Sequence, residues 1–71
     1  MNLTTRQKTL LIISKNKGSL NLINAKQVYT SELSRSIALD RLSKFGLIKR
    51  IDHNVWEITF DGIKYLQNNM K

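Results

Sequence analysis

The hydrophobic repeat of this chain changes at Gly46. Before that glycine, apolar residues recur at the three- and four-residue spacing of a helix. After it, Leu47-Ile48-Lys49-Arg50-Ile51-Asp52 and Val55-Trp56-Glu57-Ile58-Thr59 alternate with period two around His53-Asn54. Helices followed by a hairpin belong to an α+β architecture, because a parallel βαβ sheet would need strands and helices in alternation. His-Asn is a weaker turn than Asn-Gly. Both residue types are nonetheless enriched at positive φ, which allows a two-residue connection.

Capping residues and apolar stripes divide the rest. Thr4 or Thr5 can cap a first helix over about residues 5 to 16, with Leu3, Gln7, Leu10, Leu11 and Ser14 on one stripe and Gly18 at its end. Ser19-Leu20-Asn21-Leu22 alternates over the length of a very short strand. Asn24 is expected to cap a short second helix carrying Ala25, Val28 and Tyr29. Thr30-Ser31 offers the next cap, and Glu32 to Phe45 forms a third helix with Ala38, Leu39, Leu42 and Phe45 on one face. Thr59 can cap a last helix from Phe60 to about Asn69, where Ile63, Leu66 and Met70 form an apolar stripe. The expected order is helix, strand, helix, helix, strand, strand, helix, in one domain over residues 1–71.

Size and charge bound the function. A chain of 71 residues buries only about 60% of its unfolded surface, which argues against a large enclosed active site and for help from a partner subunit. There is no cysteine, so neither a disulfide framework nor a thiolate metal site is available, and a reducing cytoplasm fits. The longest apolar run, Leu10 to Ile13, falls far short of the roughly 20 residues of a membrane span, and no charged-then-apolar leader opens the chain. Twelve Lys and Arg against five Asp and Glu leave a net charge of +7, which points to a polyanionic partner, nucleic acid first. The carboxylates are scattered, no serine sits in a nucleophile elbow and no glycine-rich phosphate loop exists. Catalysis is not expected, and neither a cofactor nor a small-molecule ligand is implied.

Three motifs in order carry a family likeness. Leu39, Leu42 and Phe45-Gly46-Leu47-Ile48 place two leucines a turn apart before an apolar residue and Gly-Leu-Ile. Ala25, Val28 and Ser31 supply a small residue, a larger apolar one and a cap upstream, and Ile58-Thr59-Phe60-Asp61-Gly62 follows the pattern Leu-Thr-x-x-Gly. The chain thus resembles the winged helix-turn-helix DNA-binding regulators of prokaryotes over nearly its whole length. Any capped amphipathic helix can show one such motif, so specificity comes from the three together. The resemblance implies a three-helix core with a two-stranded hairpin wing and a closing helix. It also implies a recognition helix over about residues 31–45 for the major groove, and a wing over about 47–59 for the backbone.

The chain departs from the family pattern at Arg35, where an aliphatic residue is usual. Two arrangements follow. Either Arg35 lays its methylenes along the core edge and sends its guanidinium outward, or the second helix extends to Leu33 and a shorter third helix starts at a Ser36 cap. Leu33 or Ile37 can then pack on the second helix or on a neighbouring subunit, or meet a thymine methyl.

Within this frame the cations and hydroxyls that suit phosphate are Lys26, Ser31, Ser34, Arg35, Ser36, Arg41, Lys44, Lys49 and Arg50. Ser34, Arg35, Ser36, Ile37 and Arg41 would lie nearest the bases, and Lys49, Arg50, His53 and Asn54 near the flanking backbone or minor groove. Glu32 and Asp40 share the third helix and would repel phosphate if they faced it. A solvated basic surface is the plainer reading of these charges. His53 has no clustered second ligand, so a metal site is not expected, and Trp56 falls on the core side of its strand.

The expected function is a sequence-specific regulator of transcription bound to double-stranded DNA, cytoplasmic and nucleoid-associated. The alternatives are an architectural DNA-coating protein of low specificity and a winged-helix protein-interaction module. Leu11, Ile12, Ile13, Ile63, Leu66 and Met70 form apolar surface on the first and last helices in excess of what one chain was expected to cover. A symmetric homodimer through these residues would hold two recognition helices about 34 Å apart on a near-palindromic site.

Overall fold

Each helix begins where a short polar side chain takes up a backbone N–H that has no partner within the helix. A computed structural model describes residues 2–69, the side chain of Asn69 excepted. The element order is α1 (Thr5–Lys17), β1 (Leu20–Asn21), α2 (Leu22–Val28), α3 (Glu32–Lys44), β2 (Ile48–Asp52), β3 (Val55–Ile58) and α4 (Phe60–Asn69). It is the order read from the sequence. Thr4 caps α1 in a reciprocal box: its Oγ1 accepts from the Gln7 N–H at 3.2 Å while Gln7 Oε1 accepts from the Thr4 N–H at 3.0 Å.

The cap of α2 corrects an expectation. Asn21, not Asn24, precedes the helix, and its Oδ1 accepts from the Asn24 N–H at 2.9 Å while Asn24 Oδ1 accepts back from Asn21 at 3.5 Å. Asn24 is the inner member of the same box, and the cap lies three residues earlier than the sequence suggests. Ser31 caps α3 through the Ser34 N–H at 3.4 Å. That start at Glu32 rules out the shorter third helix beginning at Ser36.

The end of α3 explains a second correction. The Leu47 N–H donates to the Leu42 carbonyl and the Gly46 N–H to that of Ser43, both at 3.0 Å, with Gly46 at φ 75°. This is the Schellman pattern, in which a glycine takes the left-handed conformation and the following apolar residue folds back on the last turn. Leu47 therefore fills the core position expected for Phe45, and Phe45, at the cap, is exposed.

Among the described residues the strands form one antiparallel sheet in the order β1-β3-β2. Leu20 pairs with Trp56 and Asn21 with Val55 on one side of β3; Ile48 pairs with Ile58, Lys49 with Glu57 and Arg50 with Trp56 on the other. The register then shifts so that Asp52 faces Val55, which leaves Ile51 as the extra residue of a bulge. Asn54 closes the turn at φ 60°. Beyond Ile48 every residue of β2 is exposed, so this strand is the open edge of the sheet while β3 packs against the body.

The core lies where α1 packs on α2, α4 and β3, and α3 packs on α2 and β2. Leu10, Leu11, Leu20, Leu42 and Ile48 are its most enclosed side chains, with Leu39, Leu47, Trp56 and Leu66 around them. Trp56 is on the core side as expected. Leu11 is fully buried and Leu66 is 3% exposed, which corrects their assignment to surplus interface surface. One chain covers both, because α4 folds back across α1 and the Leu3 N–H meets the Tyr65 hydroxyl at 3.4 Å. Ile12, Ile13 and Ile63 are half-buried, and Met70 lies outside the described residues.

Candidate nucleic-acid interface

With Ala38, Leu39 and Leu42 turned to the core, helical geometry places Leu33, Ile37, Asp40, Arg41 and Lys44 on the opposite side of α3. All five are exposed, as are Ser31, Ser34 and Ser36, and Lys26 on α2. Lys49, Arg50 and His53 are exposed on the hairpin, and Asn54 is half-buried at its turn. Eleven of the twelve residues expected at the interface therefore reach the surface at least in part.

The exception is Arg35, which is 7% exposed. Its methylenes lie in the core edge as expected, but the guanidinium does not point outward. Nη1 donates to the Tyr29 carbonyl at 3.1 Å. Tyr29 is where α2 ends in extended backbone, at φ −122° and ψ 107°, so its carbonyl lies outside the helical hydrogen-bond ladder. The arginine satisfies that carbonyl, and its charge is drawn beneath α3.

Between α3 and the hairpin runs an open cleft of about 630 Å³. Glu32, Ser36, Asp40 and Ser43 form the α3 side together with Arg35 and Leu39, Arg50 and Asn54 the hairpin side, and Trp56 and Leu22 also line it. The first four recur at intervals of four, four and three residues. That spacing marks them as one helix side in the sequence. Asp40 also holds the Lys44 ammonium at 3.1 Å, a surface i,i+4 pair of little energetic weight.

Arg50 organises the hairpin tip. Its guanidinium lies 5.9 Å from the centre of the Trp56 ring, its Nη2 meets His53 Nδ1 at 3.1 Å and its Nε donates to the Asp52 carbonyl at 3.4 Å. The His53 N–H donates to Asp52 Oδ1 at 2.7 Å, so the turn is braced by its own side chains. Facing residues Arg50 and Trp56 make this contact possible, whereas the alternation pattern indicated only that Trp56 points inward.

Among the described residues no three His, Cys, Asp or Glu side chains group to hold a metal, and no helix is long and apolar enough to cross a membrane. Scans against protein-family models, curated proteins and solved structures find no match to this chain.

Proposed function

We propose that this chain is a winged helix protein that binds double-stranded DNA as a sequence-specific regulator of transcription, with α3 in the major groove and the β2–β3 hairpin on the flanking backbone. The observation that carries this reading is the joint exposure of Ser34, Arg41 and Lys44 on the outer side of α3 and of Lys49 and Arg50 on the open edge strand of the neighbouring hairpin. A helix flanked by an exposed basic ribbon matches the shape of a groove between two phosphate rows. The net charge of +7 supports the same partner. Two copies in contact would present two such helices to one site, and half-buried Ile12, Ile13 and Ile63 are apolar surface available for that contact.

The experiment is a titration of random-sequence duplex at several salt concentrations, followed by selection of bound sequences. The expected result is a log-log slope equivalent to roughly 4 to 8 phosphate contacts per dimer and an enriched motif. A steep slope with no motif would mark an architectural protein instead. The carboxylates of Glu32 and Asp40 along the cleft favour a second reading, a protein-interaction module, and absence of duplex binding at moderate salt would select it.

A further inference from the structure

The outermost stripe of α3 is apolar at its amino end. Leu33 is 71% exposed and Ile37 48% exposed, and at a spacing of four residues they stand side by side on the helix surface. Around them are Ser34, the carboxylates of Glu32 and Asp40, the second paired with Lys44, and the cations suited to a polyanion, Arg41 one turn further along and Lys49 and Arg50 beyond. Arg35, which would otherwise occupy the same half of the helix, is withdrawn to the Tyr29 carbonyl. The amino half of α3 therefore presents two branched aliphatics among Glu32, Ser34 and Ser36, with the exposed cations of the helix, Arg41 and Lys44, in its carboxyl half.

Base edges in a major groove display one apolar group, the C5-methyl of thymine. We propose that Leu33 and Ile37 read thymine methyls, so that the preferred duplex carries thymines under the amino half of α3, with guanine readout left to Arg41. This rests on the DNA-binding reading. Four residues of helix advance about 6 Å, close to two base steps of about 3.4 Å on one strand. The two side chains thus fit thymines with one base between them. A second copy of the chain is the competing occupant of this ridge, and the net charge of +7 opposes a close contact between two copies.

The test compares the wild-type chain on three 20-base-pair duplexes at fixed moderate salt: an A·T-rich one, the same sequence with deoxyuridine for every thymidine, and a G·C duplex. Deoxyuridine removes the methyl and leaves the hydrogen-bonding edge intact. The expected result is weaker binding to the deoxyuridine duplex, by about fourfold for each methyl contacted. Leu33→Ala and Ile37→Ala should each narrow that ratio while leaving the salt slope and the melting temperature in place. Equal affinity for the thymidine and deoxyuridine duplexes, with a steep salt slope retained, overturns methyl readout and leaves DNA binding standing. Absence of binding to all three overturns both. Self-association of the free chain that Leu33→Lys abolishes, together with methyl-independent binding, assigns the ridge to a second copy and also overturns the proposal.

Discussion

Arg35 Nη1 donates to the backbone carbonyl of Tyr29 at 3.1 Å, across the turn that joins α2 to α3. The bond closes a gap between two helices whose relative angle sets how α3 is presented. Tyr29 is itself buried, and the Arg6 guanidinium lies 5.8 Å from its ring centre, so α1, α2 and α3 meet at this residue.

Loss of the Arg35 side chain should therefore act on stability. Arg35→Ala leaves a buried carbonyl unpaired and removes packed methylenes, a cost of about 2 to 4 kcal/mol by urea unfolding. Arg35→Met keeps the packing and should recover part of it. In duplex titrations of the folded fraction the salt slope should not move. A slope reduced by about one, with stability unchanged, would place the guanidinium on phosphate.

Arg41 and Lys49 should separate two kinds of contact. Arg41→Ala on the outer side of α3 is expected to flatten preference among sequences, and Lys49→Ala on the hairpin to weaken all duplexes alike and lower the slope by about one. Competition titrations with matched and unrelated duplexes measure both. Identical effects on every duplex would contradict the division.

Gly62, in the first turn of α4, sits against Leu47, between α3 and β2, and against Ile58 of β3. A Cβ at this position would collide with the Leu47 carbonyl oxygen and come within 2.6 Å of Ile58 Cγ1. That carbonyl already accepts from the Thr59 N–H at 3.0 Å, and Thr59 Oγ1 accepts from the Gly62 N–H at 3.1 Å, so the backbone has little freedom to retreat. Gly62→Ala should cost about 1 to 3 kcal/mol despite the better helix propensity of alanine. A gain in melting temperature would show that the backbone at Leu47 can yield.

Ser14 is fully enclosed and its hydroxyl has no hydrogen-bond partner among the described residues. Ser14→Ala removes an unsatisfied polar atom at nearly constant shape, and alanine favours the helix. A stabilisation of about 1 kcal/mol is expected by thermal or urea unfolding. Destabilisation would mean that the hydroxyl finds an acceptor in solution.

Leu66 belongs to the core of one chain, which changes what its removal tests. Leu66→Ala should cost about 2 to 5 kcal/mol as a cavity-forming substitution. The loss should be the same at low and high protein concentration. If the loss shrinks on dilution, part of the burial of Leu66 comes from a second copy.

The sequence by itself determined the element order, the caps at Ser31 and Thr59, the hairpin and the inward side of Trp56. These depend on signals that act within a turn of helix or a pair of strand residues: a hydroxyl beside a free N–H, or apolar positions at period two. Even there two local options competed, and Asn21 rather than Asn24 became the cap because Asn24 fits the inner place of the same box. Tertiary structure decided which apolar and charged side chains remain outside. Leu11 and Leu66 share a core although 55 residues separate them, and nothing local tells a covered stripe from an open one. Leu47 displaced Phe45 once the chain reversed at Gly46, and Arg35 turned inward because a carbonyl six residues earlier lost its helical partner. Burial is a property of the assembled neighbours. The periodicity of one segment states which side of an element is apolar, and only the packing of the others states whether that side is covered.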